Sequence, residues 1–217
     1  MTLYKRGSRG EVVRQIQIAL HLCPDGIFGV LTEEAVREFQ CKNGLKSDGI
    51  VGAATLAKLI PLRLKKSRRT IDEIIIHCTA TPEGKDYDIE TIRSWHLARG
   101  FSDIGYHYII DRYGHIHTGR GVDISGAHCS GHNAHSIGIA YIGGCAAGGK
   151  TAKDTRTLTQ KAALLSLLID MRKLYPKAVI LGHRDTSPDL NGNGIVEPCE
   201  WLKECPSFDA AKEYARL

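Results

Sequence analysis

Apolar and polar positions follow two periods in this chain, and the change from one to the other divides it. Val12, Val13, Ile16, Ile18 and Leu20 recur at helical spacing. Val36, Phe39 and Gln40 share a face behind Thr32, and Ala54 to Leu59 gives a third short helical pattern. Thr32 followed by Glu33 and Glu34 predicts a helix start capped by threonine, with the acids favourable in the first turn. From residue 71 the pattern turns to β: Ile71 to Cys78 predicts a buried strand, Tyr106 to Asp111 a second, and Gly114 to Thr118 its continuation after a turn. Ser136 to Ile142 and Ala178 to Leu181 predict further strands. Ile89 to Leu97 and Thr159 to Tyr175 predict helices between them. Strands alternating with long helices predict an α/β fold, a mixed central sheet flanked by helices, preceded by a small three-helix domain.

The first sixty residues contain an internal echo, Asp25-Gly-Ile-Phe-Gly29 and Asp48-Gly-Ile-Val-Gly52, each followed by a threonine, Thr32 and Thr55. Asp-Gly is a turn signal. Three short helices around Val12, Ile16, Leu20, Val36, Phe39 and Leu56 make a module too small to hold both a core and an active site. Residues 61–70 carry five basic residues and no acid, which predicts a solvated tether. The predicted organisation is therefore a helical domain over 1–62, a basic linker over 63–70 and an α/β domain over 71–217.

Composition narrows the function less than the pattern does. A chain of 217 residues with 42% hydrophobic and 24% charged residues is ordinary for a globular protein. Its formal charge of +5 favours polyanions. No stripe of Arg, Lys and aromatic residues marks a nucleic-acid surface, so nucleic acid is not an expected partner. Seven scattered cysteines, an odd number, argue against a disulfide scaffold. No stretch approaches the ~20 apolar residues of a membrane span, so no membrane insertion is expected. The first ten residues lack an apolar signal-peptide core, which predicts synthesis in the cytoplasm without a signal peptide.

Three residues far apart in sequence offer a zinc site. His77 ends the run Ile74-Ile-Ile-His77, His183 ends Ala178-Val-Ile-Leu-Gly-His183, and Cys205 opens Cys205-Pro-Ser-Phe-Asp209. Two imidazoles and a thiolate hold Zn²⁺ with a fourth position left for water, the arrangement of a catalytic site. Cys199, six residues before Cys205, is the competing thiol.

The residues around these three carry a resemblance. Ile75-Ile-His-Cys-Thr-Ala-Thr81, Trp95-His96, Gly105-Tyr-His-Tyr108, His135-Ser-Ile-Gly-Ile139, Gly182-His-Arg-Asp185 and Lys203-Glu-Cys-Pro-Ser-Phe-Asp209 follow one another in order. In this, residues 71–217 resemble the zinc-dependent N-acetylmuramoyl-L-alanine amidases of the phage lysozyme and peptidoglycan-recognition-protein family. Pro24-Asp-Gly-Ile-Phe-Gly29, Thr32 to Gln40, Asn43-Gly-Leu45 and Asp48 to Gly52 resemble the peptidoglycan-binding domain found at the ends of cell-wall hydrolases.

The resemblance implies His77, His183 and Cys205 as zinc ligands, Tyr106 and Lys203 as catalytic residues, and His128 as a substrate-contacting histidine of the groove. His107, which alternates with Tyr106 if that segment is a strand, reads as a core histidine, and His132 is a secondary candidate. The implied reaction is hydrolysis of the amide between N-acetylmuramic acid and L-alanine in peptidoglycan. The expected setting is a monomeric phage or prophage endolysin that reaches the wall after holin-type release. The alternatives are a recognition protein that binds without cutting, and a bacterial autolysin or secreted toxin with the same chemistry.

One segment lies outside the family frame. Asp189-Leu-Asn-Gly-Asn-Gly-Ile-Val-Glu-Pro-Cys-Glu200 matches an EF-hand loop position by position, with Asp189, Asn191, Asn193, Ile195, Glu197 and Glu200 at the ligand positions. No incoming helix precedes it. The expectation is a candidate calcium loop, set against an Asn/Gly turn that binds nothing.

Overall fold

The computed structural model describes residues 3–60 and 64–217, and the chain divides into two compact units, Met1–Arg63 and Leu64–Leu217. Pro61, Leu62 and Arg63, the start of the expected linker, lie outside the described residues, as do Met1 and Thr2.

The first unit has three helices, α1 (Glu11–Ala19), α2 (Val30–Lys42) and α3 (Ala53–Leu59). Val13, Ile16, Phe28, Val36, Val51 and Leu59 form its buried core, with Val12, Leu20, Phe39 and Leu56 packed around them. Ile18 is exposed, because it sits two residues from Ile16 and so on the opposite side of α1. The two predicted threonine caps are corrected. Both helices are capped three residues earlier, by Gly29 and Gly52, and neither cap makes a side-chain bond. Thr32 and Thr55 are instead buried inside their helices.

Their partners explain the echo. The Gln17 amide donates to Asp25 Oδ1 (2.7 Å), the Ile27 carbonyl (3.0 Å) and Thr32 Oγ1 (3.2 Å), and accepts the Gly26 N–H (2.8 Å). Gln40 repeats the set with Asp48 Oδ1, the Ile50 carbonyl, Thr55 Oγ1 and the Gly49 N–H. Each repeat is thus a turn, a helix start and a glutamine from the preceding helix tied in one buried knot. Burial without these bonds would cost about 1–3 kcal/mol per orphaned group.

The second unit is a mixed five-stranded sheet in the order β4-β3-β5-β1-β7 with helices packed on it. Its elements are β1 (Glu73–Cys78), the short β2 (Thr81–Pro82), α4 (Ile89–Ala98), β3 (Tyr108–Ile110), β4 (Ile116–Thr118), β5 (Ser136–Tyr141), the short β6 (Gly144–Cys145), α5 (Leu158–Leu174), β7 (Val179–Gly182) and α6 (Ala210–Glu213). Only the β3–β4 pair is antiparallel; β1 pairs parallel with both β5 and β7. Such a strand is covered on both faces, which is why it reads Ile74-Ile75-Ile76 rather than alternating. The helix α5 begins in a capping box, Thr157 with Gln160. It buries Gln160, Leu164, Leu167, Leu168 and Met171, spaced as one face of a helix. No helix among the described residues is long and apolar enough to cross a membrane.

Residues 64–70, expected as a solvated tether, are packed into this unit. The buried Ser67 receives its anchor from Tyr175, whose Oη accepts the Ser67 N–H at 2.7 Å, and its own Oγ donates to the Val122 carbonyl. The Arg69 guanidinium donates to the carbonyls of Val122, Asn133, Ala134 and Ser136. Composition marked the charge of this segment but not the carbonyls that bind it.

Candidate metal centre and groove

Register builds the site. Ile76 lies beside Gly182 in the β1–β7 pair, so the next residues, His77 and His183, emerge side by side at the carboxyl ends of adjacent parallel strands. Their ring centroids are 4.6 Å apart. Cys205 reaches the same point from the C-terminal arm. Its Sγ accepts the Cys78 N–H at 3.2 Å and stands 3.8 Å from His77 Nδ1. One ligand atom from each of His77, His183 and Cys205 lies within 4.8 Å of the others. Cys199 is exposed and not part of this group.

The arm that carries Cys205 is fastened from both sides. The Arg184 N–H donates to the Cys205 carbonyl at 2.7 Å, and Tyr141 Oη donates to the Pro206 carbonyl at 2.7 Å. Gly182 is required here, because a Cβ at that position would stand 2.6 Å from Pro206 Cδ.

The electrostatics keep both imidazoles unprotonated, whereas the Cys78 side chain and burial push the Cys205 thiol well above its ordinary pKa. Burial holds the His77 imidazole well below its ordinary pKa, with the neighbouring rings and Lys203 adding to it. Burial likewise lowers His183 to about 4, followed by Lys203. Both imidazoles are therefore neutral at physiological pH, with lone pairs free for a cation. Among the described residues the ring of His183 makes no hydrogen bond, and the only neighbour recorded at His77 Nδ1 is the Cys205 sulfur. Two neutral imidazoles and a cysteine sulfur that accepts one main-chain N–H converge here, and they suit Zn²⁺ in donor type and number.

His128, expected to contact substrate, lines the groove and also stands behind His77. Its Nδ1 stands 3.0 Å from His77 Nε2, and its other nitrogen 3.4 Å from Ser136 Oγ. It is 8% exposed, and burial lowers its pKa to about 3. The ring lies over Gly138 of β5 and against Gly126, where a Cβ on either would come within 2.4 Å of it. With His77 Nε2–H donating to His128, the His77 Nδ1 lone pair faces Cys205. That is the orienting role that partners of metal-bound histidines perform. Only the sheet register reveals it, since nothing in the sequence pairs residues 77 and 128.

Tyr106 and Lys203 face the same space. The Tyr106 ring packs 5.3 Å from that of His77, and burial raises its phenol pKa, so Tyr106 Oη keeps its proton at working pH. His96 steadies the segment by accepting the Gly105 N–H on Nδ1 at 2.8 Å. His107 is a core histidine as expected: its Nδ1 accepts the Gly138 N–H, and its Nε2 lies 3.1 Å from the Ile124 carbonyl. His132 lies against Glu73 instead of in the groove, with Nδ1 to Oε2 at 2.8 Å.

The cleft beside the ligand cluster has a volume of about 240 Å³, and Trp95, Arg99, Phe101, Tyr106, His183 and Lys203 are among the residues that line it. A second cavity of about 180 Å³ continues past His128, His183 and Lys203 toward Ser130 and Leu202. Two cavities that share His128, His183 and Lys203 suit a ligand longer than either alone would hold. Trp95 stood in the sequence reading only as a motif landmark, and Arg99 and Phe101 escaped it because the residues just past a helix end carry no pattern of their own.

The segment expected as a calcium loop is closed by its own hydrogen bonds. Asp189 accepts the N–H groups of Gly192 and Gly194, Asn191 that of Asn193, and Asn193 that of Ile195. Glu197 Oε2 accepts from the Asn191 amide. The buried Glu200 accepts the N–H groups of Leu190, Asn191 and Glu197. Among the described residues, the carboxylates of this segment are not one of the groups whose ligand atoms converge.

Comparison with known proteins agrees with this geometry. The N-acetylmuramoyl-L-alanine amidase family model matches residues 67–198, and a peptidoglycan binding domain model matches residues 9–59. The first match takes in His77, Tyr106, His128 and His183 and stops before Lys203 and Cys205. The endolysin of Enterobacteria phage K11 is 37% identical over 142 residues, 65% of this chain and 84% of that protein. A peptidoglycan-recognition protein of Drosophila melanogaster is 32% identical over 133 residues, 59% of this chain and 66% of that protein. The solved structure of N-acetylmuramoyl-L-alanine amidase LysC from Clostridium intestinale superposes with a TM-score of 0.51 at 24% identity, covering 70% of this chain and 90% of that one, a likeness of fold. With a family model across more than half its length and the ligand cluster at the strand ends where the fold puts it, this chain belongs to the N-acetylmuramoyl-L-alanine amidase family.

Proposed function

We propose that the second unit hydrolyses the amide between N-acetylmuramic acid and L-alanine with the help of one zinc ion held by His77 Nδ1, His183 and Cys205. The observation that carries this reading is the convergence of those three side chains, from three separate segments, on the floor of an open groove. Zinc bound there would activate a water and polarise the scissile carbonyl. The chain's own residues would do the rest. The Lys203 ammonium, on the rim of the groove, would offset negative charge growing on the carbonyl oxygen. Tyr106 Oη, protonated, would donate a hydrogen bond to the reacting centre and help deliver a proton to the leaving amine. His128 would keep His77 in the tautomer that leaves Nδ1 unprotonated.

The first unit, on this reading, adds a second attachment to the wall polymer, which raises the local concentration of enzyme without touching the chemistry. We also propose that the chain acts as a phage or prophage endolysin, made in the cytoplasm and released through a holin-type hole, working as a monomer. A recognition protein that binds without cutting is the reading it competes with. That reading leaves three converging ligands, Tyr106 and Lys203 without a purpose.

Mass spectrometry of muropeptides from digested sacculi tests the proposal. The expected products carry a new amino terminus on L-alanine and an intact glycan. New reducing sugar ends would point to a glycosidase, and no products with zinc-loaded protein would leave binding alone.

A further inference from the structure

A second cluster of ligand atoms lies away from the groove, on the β3–β4 hairpin. Asp111 follows β3 directly, and the turn back to β4 is closed by the Asp111 N–H on the His115 carbonyl and the Gly114 N–H on the Asp111 carbonyl. His115 and His117 are two residues apart, so they share one face of the returning strand. Both turn toward a single oxygen: Asp111 Oδ2 stands 2.8 Å from His115 Nδ1 and 3.0 Å from His117 Nε2. The other oxygen, Oδ1, accepts the N–H groups of Tyr113 and His115 at 2.9 Å each, which fixes the carboxylate plane. The Asp111 and His115 side chains are 15% and 9% exposed, and that of His117, at 34%, leaves an approach from solvent.

We propose that this hairpin is a second divalent-cation site, taking zinc through Asp111, His115 and His117. Two imidazoles and a carboxylate are a zinc donor set, and the three ligand atoms already lie within 4.8 Å of one another. Around a tetrahedral zinc with bonds of 2.0–2.1 Å, ligand atoms stand about 3.3 Å apart, so each imidazole moves only a few tenths of an ångström from the Asp111 oxygen to admit the ion. All three ligands come from one seven-residue hairpin whose backbone the sheet has already ordered, so little chain entropy remains to be lost on binding.

The carboxylate is held well below its ordinary pKa: burial works against this, and the bonds from His115 and His117 outweigh it, so it is ionised at any working pH. To ligate, each imidazole shifts its proton to the far nitrogen. For His115 that nitrogen, Nε2, is buried without a protein partner, so the metal bond must outweigh an N–H left unpaired there. The other cluster of this kind, Glu73 with His132 and His135, is less prepared. It joins two separate segments, and His135 Nδ1 is taken up by Asp72 at 2.6 Å.

The test is a metal count on the full chain, stripped and then dialysed against micromolar zinc at neutral pH. About two zinc ions per chain are expected, falling to about one in Asp111→Asn and in His117→Gln, with turnover on a soluble muropeptide unchanged. Circular dichroism checks the fold of both, and if Asp111→Asn unfolds, His117→Gln, at the exposed end of the cluster, decides the count. One zinc in the wild type that Cys205→Ser removes, or two that both hairpin variants retain, overturns the proposal. A second zinc lost in His132→Gln instead assigns it to the Glu73 cluster and equally overturns it. One zinc that His117→Gln removes and Cys205→Ser keeps supports the hairpin site and overturns the catalytic reading of His77, His183 and Cys205.

Discussion

In the first unit the buried Gln17 and Gln40 amides find every partner within their own repeat, each binding a carboxylate, a main-chain carbonyl, a hydroxyl and a glycine N–H. In the second unit the buried His77 is held on one nitrogen by His128 and turns the other toward the half-buried Cys205 sulfur, and the ring of His183 has no hydrogen bond among the described residues. Both arrangements bury polar side chains at a cost. The first recovers that cost in hydrogen bonds and so specifies a fold. The second leaves donor atoms poised, and a cation of matching softness is what completes them. Buried polarity that closes on itself is architecture, and buried polarity left open toward a groove is chemistry.

Removing a ligand tests that contrast most severely. Cys205→Ala is expected to abolish zinc retention and, with it, essentially all turnover, while Cys199→Ser keeps both, because Cys199 is exposed and apart from the cluster. Metal analysis beside a turnover assay decides it. A Cys199 variant that empties the site would place the third ligand on the wrong side of the arm.

The next effect separates the metal from the residues around it. Lys203→Ala and Tyr106→Phe are each expected to keep zinc and lower kcat by ~10²–10³, the scale for losing one transition-state partner. Wild-type kcat in both, with zinc confirmed, would confine the chemistry to the metal and its water.

Breaking the other side of the comparison should change stability and leave catalysis alone. Gln17→Leu or Gln40→Leu orphans a glycine N–H and loosens an aspartate, at about 1–3 kcal/mol for each group left unpaired. Urea titration should show the loss, together with weaker sedimentation on sacculi and unchanged turnover of a soluble muropeptide. A pH series sharpens this. Asp25 is held below the ordinary carboxylate value chiefly by the Gln17 amide, and Asp48 chiefly by the Ile50 N–H. A lowered carboxyl pKa contributes stability that is full above the ordinary value and lost as pH falls through the lowered one. Gln17→Leu should therefore flatten the acid limb of the stability curve more than Gln40→Leu.

The two arrangements also differ in how far the sequence alone shows them. The α/β architecture could be read because β1 announces itself as an isoleucine run and α5 as a long amphipathic face. The knots could not, although their signal was present. Gln17, Asp25, Gly26 and Thr32 recur as Gln40, Asp48, Gly49 and Thr55, the same spacing twice, yet threonine ahead of a helical pattern suggested a cap. Capping needs only local sequence, whereas a threonine that serves a glutamine from the previous helix needs the tertiary fold. Likewise His77, His183 and Cys205 stood out in the sequence by their motifs, while His128 behind His77 depended on Gly138 facing it from β5. Arg69 was read as a tether charge because its carbonyl partners lie 53 to 67 residues away.

The smallest expected effect concerns the segment from Asp189 to Glu200, which is where the comparison is closest to failing. By sequence it belongs with the open, cation-seeking set, but its hydrogen bonds place it with the closed one. Glu200 accepts three main-chain N–H groups and Asp189 two, so an entering cation would have to compete for oxygens already engaged. The expected result is no calcium-dependent change in the Tm of zinc-loaded protein up to millimolar Ca²⁺. Glu200→Ala, by contrast, should lower stability by about 1–3 kcal/mol through the N–H groups it orphans. Turnover should fall only slightly, because Lys203 and Cys205 remain fastened through Arg184 and Tyr141. Calorimetric uptake of calcium with a rise in Tm, lost in Asp189→Ala, would move the segment into the open set, since a ligand that binds only the folded state stabilises it by mass action. In that event hydrogen bonds within a loop would be no guide to whether its carboxylates are spent.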